Sequence, residues 1–142
     1  MDPVRAVASL GGIGFLRPAP GTWGSAAVLP LALLPGWVSL VAAVVFAVAG
    51  YWAVARLPEA TADPGWVVVD EAAGQSLALA AAVGWMGVLL AFLLFRAFDI
   101  LKPGPVGWAD RRKGPFGVMA DDVIAGALAA AILLILGAAG VM

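Results

Sequence analysis

The chain has neither cysteine nor histidine among its 142 residues. The lack of thiols excludes disulfides, zinc fingers and cysteine nucleophiles. The lack of imidazoles excludes histidine bases, phosphohistidine intermediates and most transition-metal sites. Any chemistry must therefore use carboxylates, hydroxyls and cations.

Charge is scarce as well. Only 12% of the residues are charged, 63% are hydrophobic, and the mean hydropathy is +1.03. Soluble domains contain about a quarter charged and about half apolar residues, so this composition excludes an ordinary water-soluble domain. Eight basic and nine acidic residues give a net charge of −1, without the basic segment that nucleic-acid binding requires. We therefore predict a single membrane-embedded domain that does not bind nucleic acid.

Three charge-free runs divide the chain, over residues 18–55, 72–95 and 123–142. A transmembrane helix needs about 20 apolar residues, so each run is long enough to span a bilayer. The first run is long enough to span twice. Its Pro35-Gly36 pair is a turn signal that predicts helices over 22–34 and 37–56.

The second run is consistent with one crossing or with a hairpin that turns near Gly84-Trp85. One crossing would place the acidic residues that flank the run on opposite membrane faces. A hairpin predicts helices over 67–83 and 85–101, and it places all eight basic residues on one side. The positive-inside rule favours the hairpin.

We therefore predict an all-α, polytopic membrane protein with about five short membrane helices and a charged site at their cytoplasmic ends. The turns at Pro35-Gly36 and Gly84-Trp85, together with Met142, are predicted on the far side. Residues 4–16 are glycine-rich and short. We interpret them as an interfacial or re-entrant lead-in rather than a signal peptide.

Five acidic residues collect at the predicted cytoplasmic ends of three helices: Asp70, Glu71, Asp99, Asp121 and Asp122. The two acidic pairs are predicted to open their helices, where acids also complement the helix dipole without further function. Five like charges in one place repel unless a cation joins them. Because the chain offers only oxygen ligands, Mg²⁺ is the best match, ahead of Mn²⁺ and Ca²⁺.

Cations accompany these acids. Arg96, Asp99 and Lys102 recur every third residue, which stacks them on one helix face. This spacing suits a metal-bridged phosphate with cations beside it, and a surface ion-pair ladder is the alternative. The turn over residues 18–25 predicts either a phosphate cradle at a helix N-terminus or a plain helix start capped by Thr22 or Ser25.

The chain resembles the phosphatidylglycerophosphatase A family over about residues 12–126. The motifs that carry this resemblance are Pro20-Gly21-Thr22 with Gly24-Ser25, Asp70-Glu71-x-x-Gly74-Gln75, Phe95-Arg96-x-Phe98-Asp99-x-x-Lys102-Pro103-x-Pro105, Asp110-Arg111, and Gly117-Val118-Met119-x-Asp121-Asp122-x-x-Ala125-Gly126. One departure is Pro115, where the family usually has a second glycine. The resemblance implies an all-helical enzyme of the bacterial inner membrane that uses Mg²⁺ to convert phosphatidylglycerophosphate to phosphatidylglycerol.

Taken with the carboxylate pattern, the resemblance assigns roles to nine residues. The metal ligands, or the base that orients the attacking water, are Asp70, Glu71, Asp99, Asp121 and Asp122. The phosphate contacts are Thr22, Arg96, Lys102 and Arg111. The predicted partners are the lipid substrate and the bilayer, and a homo-oligomer is left open.

Two other function classes stay open. A CDP-alcohol phosphotransferase would also use membrane-face Asp residues and Mg²⁺, but it needs a longer Asp-Gly and paired-Asp signature that this chain lacks. A small transporter would place polar residues at midplane depth, whereas the apolar runs here are clean.

Overall fold

The computed structural model describes residues 1–141, which form seven α-helices and no strand. The helices are α1 (Pro3–Ala8), α2 (Pro20–Ala27), α3 (Gly36–Ala55), α4 (Val69–Leu79), α5 (Gly84–Leu101), α6 (Pro105–Asp110) and α7 (Gly114–Ala138). Short 3₁₀ segments occur at Ile13–Phe15, Leu29–Leu33 and Pro58–Ala62. The all-α prediction is confirmed, and the prediction for Met142 falls outside the described residues.

Within residues 1–141, three helices are long and apolar enough to cross a bilayer: α3, α5 and α7. At about 1.5 Å per residue they extend roughly 27–38 Å, close to the thickness of the hydrocarbon core. Large apolar side chains such as Val48, Leu93 and Leu134 are exposed on them. Exposed apolar surface of this kind is what a lipid environment requires, so the chain is a membrane protein.

The other two helices that we predicted in the membrane are shorter than expected. α2 has 8 residues and α4 has 11, about 12 and 16 Å, which is too short to span alone. The segment after α2 continues as a 3₁₀ turn because Pro30 has no N–H for an α-helical hydrogen bond.

α4 is the central element of the fold. It packs against α3 and α7 and also contacts α2 and α5. Its buried residues include Asp70, Gly74, Gln75 and Ser76, so a helix that carries polar side chains is enclosed by protein. Small residues along α4 allow the neighbouring backbones to come close.

The second charge-free run is a hairpin rather than a single crossing. α4 ends at Leu79, and α5 begins at Gly84, whose φ of 68° suits glycine in a turn. Gly74 then packs against the ring of Phe95, so α5 returns along α4. This arrangement brings the start of α4 near the end of α5.

The last helix begins earlier than the sequence predicts. We expected Asp121 and Asp122 to open it, but α7 starts at Gly114 and places them about two turns inside. Pro115 lies in the first turn of α7, where a missing N–H leaves no helical hydrogen bond unmade. Pro115, the residue that departs from the family pattern, therefore suits the start of α7.

Candidate active site

Three carboxylates meet where α4 packs on α7. Asp70, Glu71 and Asp122 each offer an oxygen, and these oxygens lie within 4.8 Å of one another. Asp70 and Glu71 come from the first turn of α4, whereas Asp122 comes from α7. Asp70 is 3% exposed and Asp122 is 2% exposed, so two of the three acids are inside the protein.

Each of these carboxylates has a buried oxygen that finds no hydrogen-bond partner within residues 1–141: Asp70 Oδ1, Glu71 Oε2 and Asp122 Oδ1. Buried polar oxygens are normally hydrogen-bonded, because desolvation without a partner costs free energy. Three carboxylates that lie this close and have buried oxygens without a partner in the described chain offer the ligand chemistry that a hard divalent cation prefers. We name these residues the buried acid group.

A second acidic group lies nearer the surface. Asp63, Asp110 and Asp121 also place oxygens within 4.8 Å of one another. Asp63 and Asp110 are not among the site residues predicted from the sequence. Asp110 belongs to the Asp110-Arg111 motif of the family resemblance. Asp63 is part of an Asp-Pro-Gly turn, and nothing else in the sequence around it indicates a site residue. Only the fold of the chain brings Asp63 to Asp121.

Lys102 connects this second group to α5. Its Nζ donates a hydrogen bond of 3.0 Å to Asp121 Oδ2, and it lies 3.5 Å from Asp110 Oδ1 and 3.7 Å from Asp99 Oδ1. Burial alone would lower the pKa of the Lys102 ammonium, but the hydrogen bond and charge of Asp121, with the charge of Asp99, raise it above its ordinary range. Lys102 therefore stays protonated and offsets the repulsion among these acids.

Arg96 and Asp99 form an ion pair on α5. The side chains are 16% and 11% exposed, so this is not a surface ladder. The predicted stacking of Arg96, Asp99 and Lys102 is observed as contacts, with Asp99 between the two cations. The pair also explains how an Arg is accommodated inside an apolar helix, which requires a partner.

The first turn of α2 faces Glu71 of the buried acid group and the Arg96 guanidinium. A Cβ built on Gly21 would lie 2.7 Å from Glu71 Oε1 and 3.3 Å from both terminal guanidinium nitrogens of Arg96. The glycine therefore allows the α2 backbone to approach an acid of the buried acid group and the cation beside it.

The helix-capping prediction for this turn is wrong. Ala19 is the N-cap, Thr22 lies inside the first turn, and the Ser25 hydroxyl donates to the Gly21 carbonyl at 3.1 Å. The N–H groups of Thr22 and Trp23 donate to the Ala19 carbonyl at 3.0 and 3.3 Å. These two N–H groups are therefore already paired, and the phosphate contact predicted for the half-buried Thr22 stays a prediction.

Arg111 is exposed and forms no ion pair with any other described residue. Besides Lys102, the cations Arg112 and Lys113 border an open cleft of about 330 Å³ together with Asp63 and Asp110 of the second acidic group. The role predicted for Arg111 stays a prediction.

The chain has relatives among known proteins. The family model for phosphatidylglycerophosphatase A matches residues 6–137. Phosphatidylglycerophosphatase A of Haemophilus influenzae is 38% identical over 135 residues, which cover 88% of this chain and 83% of that protein. The Escherichia coli protein of the same name is 34% identical over 135 residues, 89% of this chain and 78% of that protein.

A relative from Bacteroides thetaiotaomicron carries a different name, "Putative phosphatidylinositol-3-phosphatase". It is 41% identical over 129 residues, which cover 81% of each chain. No solved structure matches the chain.

Proposed function

The chain belongs to the phosphatidylglycerophosphatase A family, and we propose that it removes the terminal phosphate of phosphatidylglycerophosphate in phospholipid biosynthesis. The products are phosphatidylglycerol and inorganic phosphate, so the enzyme is a phosphatase that acts on a phosphate monoester. The observation that carries the proposal is the buried acid group, with its three unpartnered oxygens among residues 1–141, beside the Arg96 guanidinium.

The buried acid group fits Mg²⁺, since it offers carboxylate oxygens alone and their buried atoms lack other partners in the described chain. Asp70, Glu71 and Asp122 would hold the ion. A bound Mg²⁺ supplies positive charge against the negative charge that spreads over the phosphoryl oxygens during transfer. Mn²⁺ and Ca²⁺ are the ions expected to compete for the same ligands.

Arg96 is the cation best placed to bind the phosphate. Its planar guanidinium donates parallel hydrogen bonds to two phosphate oxygens, which a Lys ammonium cannot do. The ion pair with Asp99 holds the guanidinium in one orientation at the start of α2. Lys102, Arg111 and the Thr22 side chain are further proposed phosphate contacts.

The proposed reaction is hydrolysis. The oxygen of a water molecule forms a bond to phosphorus while the bond between phosphorus and the glycerol oxygen breaks. A carboxylate accepts the proton that the water loses, and the leaving oxygen takes up a proton. We assign Asp70, Glu71, Asp99, Asp121 and Asp122 as metal ligands or as this base, which orients the attacking water.

We place the active site at the cytoplasmic face of the bacterial inner membrane. The substrate is a lipid, so its headgroup reaches the site only at the level of the membrane interface. Arg and Trp side chains stack near the charged ends of the helices, as interfacial residues do, in the pairs Arg5 with Trp66, Arg56 with Trp52 and Arg112 with Trp108.

Phosphatidylinositol 3-phosphate is a second candidate substrate, because the relative named for that activity is 41% identical to this chain. It is also a phosphate monoester on a lipid headgroup, so the same cation and carboxylates would bind its phosphate. The two candidates differ in the headgroup alcohol that leaves.

The test is phosphate release by purified protein from vesicles that contain phosphatidylglycerophosphate, phosphatidylinositol 3-phosphate or phosphatidic acid. We expect phosphatidylglycerophosphate to react fastest, only with Mg²⁺, and ¹⁸O from labelled water to enter the phosphate. Glu59→Gln, an exposed carboxylate paired with Arg5, is the control and keeps full activity. Asp122→Asn loses it.

Three outcomes would contradict this proposal. Faster release from phosphatidylinositol 3-phosphate would favour the second candidate. Consumption of CDP-diacylglycerol with release of CMP would indicate a phosphotransferase. If no lipid releases phosphate with any divalent ion, the small-transporter alternative would be favoured.

A further inference from the structure

Gln75 is a buried polar residue without an evident partner. It lies on α4, one turn after Glu71, and its side chain is 0% exposed. Neither Nε2 nor Oε1 of its amide has a hydrogen-bond partner among residues 1–141. A buried amide that makes no hydrogen bond destabilises the fold, so packing alone gives no reason to have glutamine at this position.

Glu71, in turn, has a buried carboxylate oxygen that lacks a hydrogen-bond donor among the described residues. Its Oε1 points to the start of α2 at Gly21, whereas its Oε2 is buried and finds no partner in the part of the chain that the structure describes. Residues four apart on a helix are neighbours, about 5–6 Å apart at Cβ. A Gln amide nitrogen is a donor and a Glu carboxylate oxygen is an acceptor, so rotation about the side-chain bonds of Gln75 can join the two groups.

We propose that Gln75 is a positioning residue, which donates a hydrogen bond from Nε2 to Glu71 Oε2 and so orients this carboxylate as a metal ligand. The inference rests on the proposed function, because it takes Glu71 as a ligand of the buried acid group. Groups that hydrogen-bond to metal ligands fix the ligand geometry, and their loss typically weakens metal binding by about 10–100-fold.

Ser76 is the matched control on the same helix. It is also 0% exposed, and its Oγ also lacks a partner within the described residues. At 3.6 residues per turn, however, it points about 100° away from Gln75 and does not neighbour Glu71. Removal of the Ser76 hydroxyl therefore deletes a buried polar group without affecting the proposed hydrogen bond.

The test measures Mn²⁺ binding to purified protein by electron paramagnetic resonance without lipid substrate, together with thermal unfolding in EDTA. We expect Gln75→Leu to weaken Mn²⁺ binding by about 10–100-fold. The metal-free variant is expected to unfold near the wild-type temperature, because leucine fills a volume similar to that of glutamine. Activity returns toward the wild-type kcat at high Mg²⁺. Ser76→Ala keeps wild-type Mn²⁺ affinity.

Wild-type Mn²⁺ affinity in Gln75→Leu would overturn the proposal. If the unfolding temperature also falls, Gln75 has a packing role instead. If Gln75→Leu does not fold, Gln75→Met gives the same measurement with an unbranched side chain. Failure of both to fold would also contradict it, because the metal-free fold is expected to tolerate loss of the amide. If the wild-type protein binds no Mn²⁺, the buried acid group is not a metal site, and the metal proposal fails as well.

Discussion

Gly74 of α4 and Gly126 of α7 pack backbone against backbone. A methyl group on Gly74 would overlap the carbonyl of Asp122, and one on Gly126 would overlap the carbonyl of Gly74. Each glycine lies one helical turn after an acid of the buried acid group, Asp70 in α4 and Asp122 in α7. The contact between the two glycines therefore sets how closely the carboxylates from the two helices approach.

We expect Gly126→Ala to separate α4 from α7 and to lower activity at least about 100-fold, since small displacements in a catalytic site have effects of that size. The added methyl meets backbone, which cannot rotate away as a side chain can. Overpacking of this kind costs about 1–3 kcal/mol. Activity assays and thermal unfolding of the purified variant measure both effects.

Gly137→Ala is the control for this prediction. Gly137 lies on the same helix, and an added Cβ there meets no described atom within 4 Å apart from its chain neighbours and the backbone of its own helix. Alanine is favoured over glycine in a helix by about 0.8–1 kcal/mol, so this variant keeps full activity and is slightly more stable. Wild-type activity in Gly126→Ala would show that the contact does not control the site.

The second prediction concerns the acids themselves. Asp70→Asn and Asp122→Asn are each expected to abolish turnover while the metal-free protein unfolds at an equal or higher temperature, because each change relieves repulsion among carboxylates. A metal that binds only the folded state raises its stability. Mg²⁺ should therefore raise the unfolding temperature of wild type, but not of these variants, in a thermal titration.

Asp2→Asn is the comparison, since Asp2 is exposed, lies at the start of α1 and belongs to neither acidic group. It is expected to keep both activity and the response to Mg²⁺. Near-normal activity in Asp70→Asn and Asp122→Asn would remove the buried acid group from the mechanism.

The third prediction is the membrane orientation. The chain has no cysteine, so single cysteines can be introduced without competing thiols. A water-soluble maleimide should label Val83→Cys, at the turn before α5, from outside the cell, and Lys113→Cys only after the membrane is opened. Leu93→Cys, on the exposed apolar face of α5, should stay unlabelled. Labelling of positions 83 and 113 from the same side would contradict the hairpin orientation.

The sequence predicts two long helices almost to the residue. α3 and α5 begin and end within one residue of the predicted 37–56 and 85–101. The turns at Pro35-Gly36 and Gly84-Trp85 lie at their starts, and charged or Pro-containing segments end them. The Arg96, Asp99 and Lys102 contacts are also predictable, since they depend only on spacing along one helix.

The remaining differences depend on contacts between distant segments. Hydropathy does not distinguish a helix that faces lipid from one that is enclosed by protein, so α4 was expected to span the membrane. Acids are common at helix starts, and this preference wrongly predicted that Asp121 opens α7. Asp63 lies 58 positions before Asp121 in the sequence, so no local pattern predicts that the two come together.

The last prediction is that Arg96→Lys lowers kcat/KM by about 10²–10³, the effect of removing one preorganised donor from a charged transition state. The guanidinium is planar and is held by Asp99 next to Gly21 and Glu71, so it can direct two N–H groups at a phosphate. A Lys keeps the charge but loses this geometry, and Mn²⁺ affinity should therefore stay near wild type while catalysis falls. Arg56→Lys, whose Arg stacks on Trp52 with 4.7 Å to the ring centroid, is the control and keeps wild-type kinetics. If Arg96→Lys retains more than half of the activity, positive charge alone suffices at this position, and bidentate recognition of the phosphate by Arg96 is wrong.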